Sequence, residues 1–383
     1  MQIGVPREYD PIETRVALTP DIVGKYTKLG ATVLFESGLG ESCHWSDQAY
    51  VDAGAVQAES REQLLRDSDM ILRVRKPEAS EIDVMRDDVI HVSYLDPFNE
   101  RELVDALRER GLTALSMEMI PRTTLAQKMD ALSSQHSIAG YYMVILAADR
   151  LDKILPMMMT PAGTIQPARV FIIGAGVAGL QAIATAKRLG ARVEAFDTRP
   201  VVKEQVESLG GRFVEIDLGD TGETDQGYAK ELTEEQKKLQ LEGMKKHCAQ
   251  ADIVITTAQL FGRPAPTVVT ADMVAAMKPG SVIVDYAVES GGNVEGSVPG
   301  ETVDVNGVRI IGLRNSPGQM AMDASRMYAA NLYNLVSSFW DEENKSFKLD
   351  LEDEILASAV ITHEKDLVSE MIRKAYGLEE VTS

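Results

Sequence analysis

Arg169-Val-Phe-Ile-Ile-Gly174-Ala-Gly176-Val-Ala-Gly179-Leu-Gln-Ala-Ile-Ala-Thr-Ala-Lys-Arg-Leu-Gly190-Ala-Arg-Val-Glu-Ala-Phe-Asp197 is the stretch that decides the fold. An apolar run precedes Gly174, apolar residues at helical spacing (Leu180, Ile183, Ala184, Leu189) follow Gly179, and a second apolar run ends in an acid. G-x-G-x-x-G alone is weak, because turns reuse glycine. Set between a strand and a helix it is a dinucleotide-binding fingerprint. Gly174 permits the tight turn, Gly176 lets a pyrophosphate approach the backbone, and Gly179 lets helix and strand pack closely. The helix amino terminus adds unpaired N–H groups and partial positive charge. Asp197 falls where a carboxylate accepts hydrogen bonds from the adenosine ribose hydroxyls; a 2′-phosphate there meets a like charge, so NAD(H) is expected over NADP(H). Arg199 works against that preference, since a nearby arginine tolerates the extra phosphate.

Outward from this stretch the alternation continues. Strands are expected at Ala168 to Ile173, Arg192 to Phe196, Ile253 to Thr257, Ser281 to Asp285 and Val308 to Ile311. Towards the amino terminus they are expected at Ile3 to Val5, Thr32 to Glu36, Met70 to Val74, Val89 to Tyr94 and Thr113 to Met117, with helices such as Glu100 to Arg110 between. Thr19-Pro20 reads as an N-cap and a first-turn proline. Such repetition implies parallel sheets covered on both faces. The fold class is α/β, with two Rossmann-like doubly wound parallel-sheet domains separated by a cleft. Residues 1–136 with about 318–383 should form one domain, and 137–317 the other. The helical run Met327, Tyr328, Asn331, Leu332, Leu335, Val336 is expected to return to the first domain, and nothing after it resembles another βα unit.

Residues 217–230 are polar, rich in glycine and acid, and without apolar period, so a mobile surface loop is expected. It is either a lid bringing Tyr228 to a ligand or a plain insertion. The following helix opens with a capping box at Thr233 and Gln236 and a Glu234/Lys238 pair one turn apart.

The chain has 383 residues, enough for two or three domains, and its composition, 44% hydrophobic and 26% charged, is that of a soluble globular protein. No apolar run approaches the roughly 20 residues of a membrane-crossing helix. Gln2-Ile3-Gly4-Val5 follows Met1 directly, so no secretory signal is visible and the cytoplasm is the expected compartment. Two cysteines, Cys43 and Cys248, are too few for a disulfide framework or a cysteine-based zinc site. A formal charge of -20 repels phosphate backbones and makes nucleic acid a poor partner.

Nicotinamide dehydrogenases acting on alcohols or amines move a proton with the hydride and need a positioned acid or base. Of the histidines, His247 and His363 read as surface residues, and His44 and His91 as satisfied core or surface groups. His136 ends the linker that starts at Arg122. That linker offers a cation (Arg122), an anion (Asp130) and polar groups at Gln127, Ser133 and Ser134, with no metal site or nucleophile triad. These groups orient a ring and its carboxamide, or form a bonded hinge; they do not transfer protons at neutral pH. Met157, Met158 and Met159 either line the dinucleotide cleft or fill the core.

Over nearly its full length the chain resembles the alanine dehydrogenase/transhydrogenase family. The resemblance rests on Gly4-Val-Pro-Arg-Glu8, Arg15-Val-Ala-Leu-Thr-Pro20, the Arg122…Gln127…Asp130…Ser133 loop, Met157-Met-Met-Thr160, Ala162-Gly163-Thr164, the 174–190 fingerprint, Lys203 to Gly211, Gly227 to Glu231 and Val288-Glu-Ser-Gly-Gly-Asn293. Within the family it is similar to the soluble NAD(H)-binding component of proton-translocating transhydrogenases. That resemblance implies hydride passing directly from NADH here to NADP+ on a partner subunit, coupled to proton movement through a membrane-spanning subunit. It implies that Arg122, Gln127, Asp130 and Ser133 position the nicotinamide, with Gln127 reaching toward the partner's nucleotide. The cofactor-binding set becomes Gly174, Gly176, Val177, Ala178, Gly179, Asp197, Tyr228, Thr257, Ala258 and Glu289. A homodimer, to which the small residues of Ser137-Ile-Ala-Gly140 would contribute close packing, and a place at the cytoplasmic membrane through partner subunits are also implied. With no membrane segment after residue 340, the membrane and NADP(H) components are expected on separate chains. Alanine dehydrogenase is the rival; its histidine is replaced here by Tyr94-Leu95-Asp96 and its lysine segment by Arg73-Val74-Arg75, although Arg15 remains.

Overall fold

The strand Arg169–Ile173 is fully sandwiched: Val170 and Ile172 pack into one apolar cluster while Phe171 and Ile173 pack into another on the opposite face. Alternate side chains thus serve two cores, each buried aliphatic side chain contributing about 1.5–3 kcal/mol. The computed structural model describes residues 1–219, 221, 230 and 232–378. It divides into two units, Met1–Gln135 with the chain from Pro317 onward, and His136–Ser316.

In the second unit the strand order is Arg212–Phe213, Arg192–Phe196, Arg169–Ile173, Ile253–Thr256, Val282–Asp285, Val308–Gly312, Thr302–Val305. All neighbours are parallel except the last pair. Chain order reverses between Arg169–Ile173 and Ile253–Thr256, the switch point beyond whose carboxyl ends such sheets bind ligands.

The first unit's sheet runs Asp366–Leu367, Val360–His363, Thr113–Ser116, Ile90–Ser93, Met70–Leu72, Gln2–Val5, Thr32–Phe35, Val56–Gln57. Six strands are parallel; the two from the chain's end add on antiparallel. Sequence patterning shows nothing beyond the helix Ala321–Ser338 and misses them. An edge strand needs only a few paired residues, here with a register break between Val360 and Thr362, and carries little periodic signal. The helix itself buries Tyr328, Leu332, Leu335 and Val336 in the first unit's core, whereas Met327 faces outward.

Several local readings need correction. Thr19 is the N-cap residue of the helix Pro20–Lys28, with the proline in its first turn as expected, but its side chain makes no cap bond; its hydroxyl donates to Asp21 Oδ1 instead (2.7 Å). The Thr233/Gln236 capping box forms, yet Glu234 pairs with Lys237, not Lys238, which lies nearer Glu242. A Cβ on Gly140, in the helix Ala131–Arg150, would stand 2.2 Å from the Ala178 carbonyl oxygen, so Gly140 itself serves close packing within this chain. Met157, Met158 and Met159 are exposed and do not fill the core. The latter two belong to an antiparallel hairpin, Met158–Thr160 with Gly163–Ile165, whose turn is made possible by Gly163 at φ +136°.

Candidate functional site

At the switch point of the second sheet the glycines part company on steric grounds. Gly174 has φ +98°, and a Cβ there would lie 2.7 Å from Thr257 Oγ1. A Cβ on Gly179 would lie 1.9 Å from the Gly174 carbonyl oxygen, so this glycine lets the helix Val177–Arg188 sit against the turn. Gly176, the N-cap, has φ -76°, and nothing lies within 4 Å of a Cβ built on it. Folding does not demand a glycine there; the open space fits a group brought up to the backbone. Val177 and Ala178 follow in the first helical turn, whose N–H groups have no intrahelical acceptors.

Asp197 closes the other side of the turn. Its Oδ2 accepts from the Ala175 N–H (2.7 Å) and its Oδ1 from the Arg199 N–H (2.9 Å). The Arg199 guanidinium lies bidentate on the same carboxylate, Nε to Oδ1 and Nη2 to Oδ2, both 2.9 Å. Tyr228 lies outside the described residues.

Thr257 and Ala258 follow directly on the neighbouring strand, Ile253–Thr256. Thr257 Oγ1 donates to the Gly174 carbonyl (3.0 Å), tying the two strands together at the crevice. Both backbone groups of Ala258 are held by Asn293, whose Oδ1 accepts from the Ala258 N–H (3.0 Å) and whose Nδ2 donates to the carbonyls of Ala258 and Pro266, both 2.8 Å. Asn293 is itself fully buried and donates its N–H to the buried Asp285 carboxylate, which also accepts from Ala287 and Val294. Burial pushes the Asp285 carboxyl up from its ordinary value, against those donors. Sequence reasoning places Asn293 in a motif without giving it a role and gives Asp285 none, because their partners are distant along the chain. Glu289, on the same loop, accepts from the Asn315 N–H (2.9 Å) and lies 3.5 Å from Arg314.

The linker belongs to the first unit as far as Gln135. Asp130 caps the helix Ala131–Arg150: Oδ1 accepts from the Ser133 N–H (2.8 Å) and Oδ2 from the Ser133 hydroxyl. Ala126 and Met129 are buried in the core, while Arg122, Gln127 and Lys128 are exposed. The Lys128 carbonyl accepts from Nδ2 of both Asn331 (2.9 Å) and Asn334 (3.0 Å), and Ser134 Oγ donates to Asn331 Oδ1 (2.7 Å). Gln127 therefore projects from a braced loop. Sequence reasoning reads Asn331 only as a member of the helical run, and misses Asn334 and the bracing that both provide.

Among the described residues, His91, His247 and His363 are engaged in hydrogen bonds to neighbouring side chains. His91 is buried, with Nε2 bonded to Ser93, and burial first, then Arg73, depress it to about 3. His247 and His363 are less exposed than expected, bonded to Glu194 (2.7 Å) and Thr113 Oγ1 (2.9 Å). His136 stands edge-on to Tyr286, with ring centroids 5.7 Å apart. Arg15 and Arg75, the residues suited to a substrate carboxylate, both grip Glu13: Arg15 through Nε (2.8 Å) and Nη2 (2.7 Å), Arg75 through Nε (2.8 Å). Burial pushes the Glu13 carboxyl up, but Arg15 and then Arg75 outweigh it and hold the group at about 2.

Glu118, which accepts from the N–H groups of Leu95 and Asp96, behaves oppositely; burial pushes it up to about 7. The unfolded chain releases this proton near 4.5 and the fold keeps it until about 7, so across that window the unfolded state binds fewer protons and stability falls as pH rises. Glu118→Gln should flatten the melting-temperature profile between pH 4.5 and 7. A slope unchanged from wild type would assign the dependence to other groups.

Residues 4–139 match the family description "Alanine dehydrogenase/PNT, N-terminal domain" and residues 143–370 match "Alanine dehydrogenase/PNT, C-terminal domain". An NAD(P) transhydrogenase alpha-subunit chain of Rhodospirillum rubrum is 44% identical over 375 residues, 96% of this chain and 98% of that one. A solved transhydrogenase structure from Sinorhizobium meliloti aligns with a TM-score of 0.86 at 43% identity, over 96% of this chain and 100% of that chain. The alanine dehydrogenase of Mycolicibacterium smegmatis is more distant, 29% identical over 386 residues, 98% of this chain and 96% of that one. With both halves matched and the crevice residues arranged as described, the chain belongs to the alanine dehydrogenase/PNT family.

Proposed function

We propose that this chain is the NAD(H)-binding subunit of a proton-translocating, Re/Si-specific NAD(P) transhydrogenase. It passes hydride directly between NADH and NADP+ held by a partner subunit, and a membrane-spanning subunit couples the exchange to proton translocation. The observation that carries this reading is the 44% identity to the transhydrogenase alpha-subunit chain of Rhodospirillum rubrum over 98% of that chain, against 29% to the alanine dehydrogenase. The chain acts only with its partners, is peripheral to the cytoplasmic membrane through them, and is a homodimer. Among the described residues no helix is long and apolar enough to cross a membrane. The exposed methionines of the hairpin offer apolar surface for self-association.

The residues present fit NAD(H), since Gly176 leaves open the space that a Cβ would fill. Gly176, Val177, Ala178 and their helix terminus receive the pyrophosphate; Asp197 takes the adenosine ribose; Thr257, Ala258, Glu289 and Tyr228 complete the binding set. When bound, the dihydronicotinamide supplies the hydride. Arg122, Asp130 and Ser133 orient that ring, and Gln127 reaches toward the NADP(H) of the partner. Exchange between two nicotinamides moves no proton on the protein, in keeping with a linker of cation, amide and hydroxyls whose one anion, Asp130, is engaged as a helix cap. What it requires is close approach, about 3–3.5 Å between reacting atoms.

The rival, reductive amination of a 2-oxo acid, lacks support: Glu13 already holds both arginines. Purified with NADH, pyruvate and ammonium, the chain should bind NADH yet turn nothing over. Mixed with an NADP(H)-loaded partner subunit it should exchange hydride. Gln127→Asn should leave the NADH dissociation constant within about twofold while slowing exchange roughly tenfold or more, the loss typical of misplaced reacting groups. Exchange at the wild-type rate would remove Gln127 from the reaction, and turnover of pyruvate would restore the rival.

A further inference from the structure

The Asp197 carboxylate is saturated before any nucleotide arrives. A carboxylate has about four lone-pair sites. Here they face four donors: the N–H groups of Ala175 and Arg199, and Nε and Nη2 of the Arg199 guanidinium. The pair is well shielded, with side-chain exposures of 6% for Asp197 and 12% for Arg199. The two backbone donors aim the carboxylate whatever side chain stands at 199. The guanidinium occupies the two remaining acceptor sites, the capacity that the two hydroxyls of an adenosine ribose need.

We propose that Arg199 sets the cofactor choice of this site by competing with the ribose for Asp197 and neutralising its charge. The inference rests on the reading of the crevice as an NAD(H) site. A ribose diol displaces the guanidinium to reach Asp197, so the ion pair weakens NADH binding. A 2′-phosphate meets a neutral pair rather than a lone anion, with a planar guanidinium at hand whose fork matches phosphate oxygens. Arg199 therefore narrows the discrimination that Asp197 alone would impose.

The test is fluorescence titration of wild type and Arg199→Ala with NADH and NADPH separately, folding being checked by circular dichroism. Arg199→Ala should bind NADH several-fold more tightly and NADPH more weakly. The ratio of the two dissociation constants should widen by about tenfold or more, the order of one uncompensated charge interaction. Should Arg199→Ala not fold, Arg199→Gln, which keeps length without charge, is expected to widen the ratio in the same direction. A ratio unchanged or narrowed in the folded variant overturns the proposal. Wild type that binds neither nucleotide would instead overturn the NAD(H) reading itself, so the two failures are distinguishable.

Discussion

Gly179→Ala is expected to cost about 3 kcal/mol or more in urea unfolding, at the upper end of overpacking penalties. The added carbon would sit 1.9 Å from the Gly174 carbonyl oxygen, and that obstacle is backbone, not a side chain that can rotate aside. The helix Val177–Arg188 must slide away from the strand end, displacing the N–H groups proposed to receive the phosphates; NADH affinity should fall with stability. Gly176→Ala provides the contrast. With φ -76° and open space around the new carbon, it should leave stability unchanged or raise it by about 0.4–1 kcal/mol while weakening NADH binding. Equal stability losses in the two variants would refute the steric distinction, and unaltered NADH affinity in Gly176→Ala would refute the phosphate approach.

Asn293→Ala should be comparably damaging. It leaves the Ala258 N–H and the carbonyls of Ala258 and Pro266 without the side chain that satisfies them, each such buried loss costing about 1–3 kcal/mol. Asn293→Asp does not repair this, because an oxygen then faces two carbonyl oxygens beside the buried Asp285. The measurement is denaturant unfolding together with NADH titration. A cost below about 1 kcal/mol for Asn293→Ala would mean that water or a shifted loop replaces the amide.

The second sheet was legible because its strands are continuous apolar runs separated by glycine and helix signals; Arg192–Phe196 coincides with its expectation, and Arg169–Ile173 and Ile253–Thr256 each differ by a single residue at one end. The edge strands Val360–His363 and Asp366–Leu367 escaped because short antiparallel pairing depends on a partner far along the chain. The hairpin at Met158 escaped for a related reason: its side chains are apolar but face solvent, so composition pointed inward. At the crevice the glycines and Asp197 could be read from spacing. Its fixing by Asn293, and the engagement of Asp197 by Arg199, could not, since hydrogen bonds are geometry and the sequence shows only that suitable groups exist.

The Lys128 carbonyl, held by amides of Asn331 and Asn334, has a kinetic consequence for the exposed Gln127 next to it. Fixing a residue's backbone costs roughly 1–2 kcal/mol in conformational entropy, and at this peptide the cost falls during folding. A protein landing on the loop then freezes little more than side-chain rotamers, so encounter complexes can form and separate quickly without first waiting for the surface to order itself.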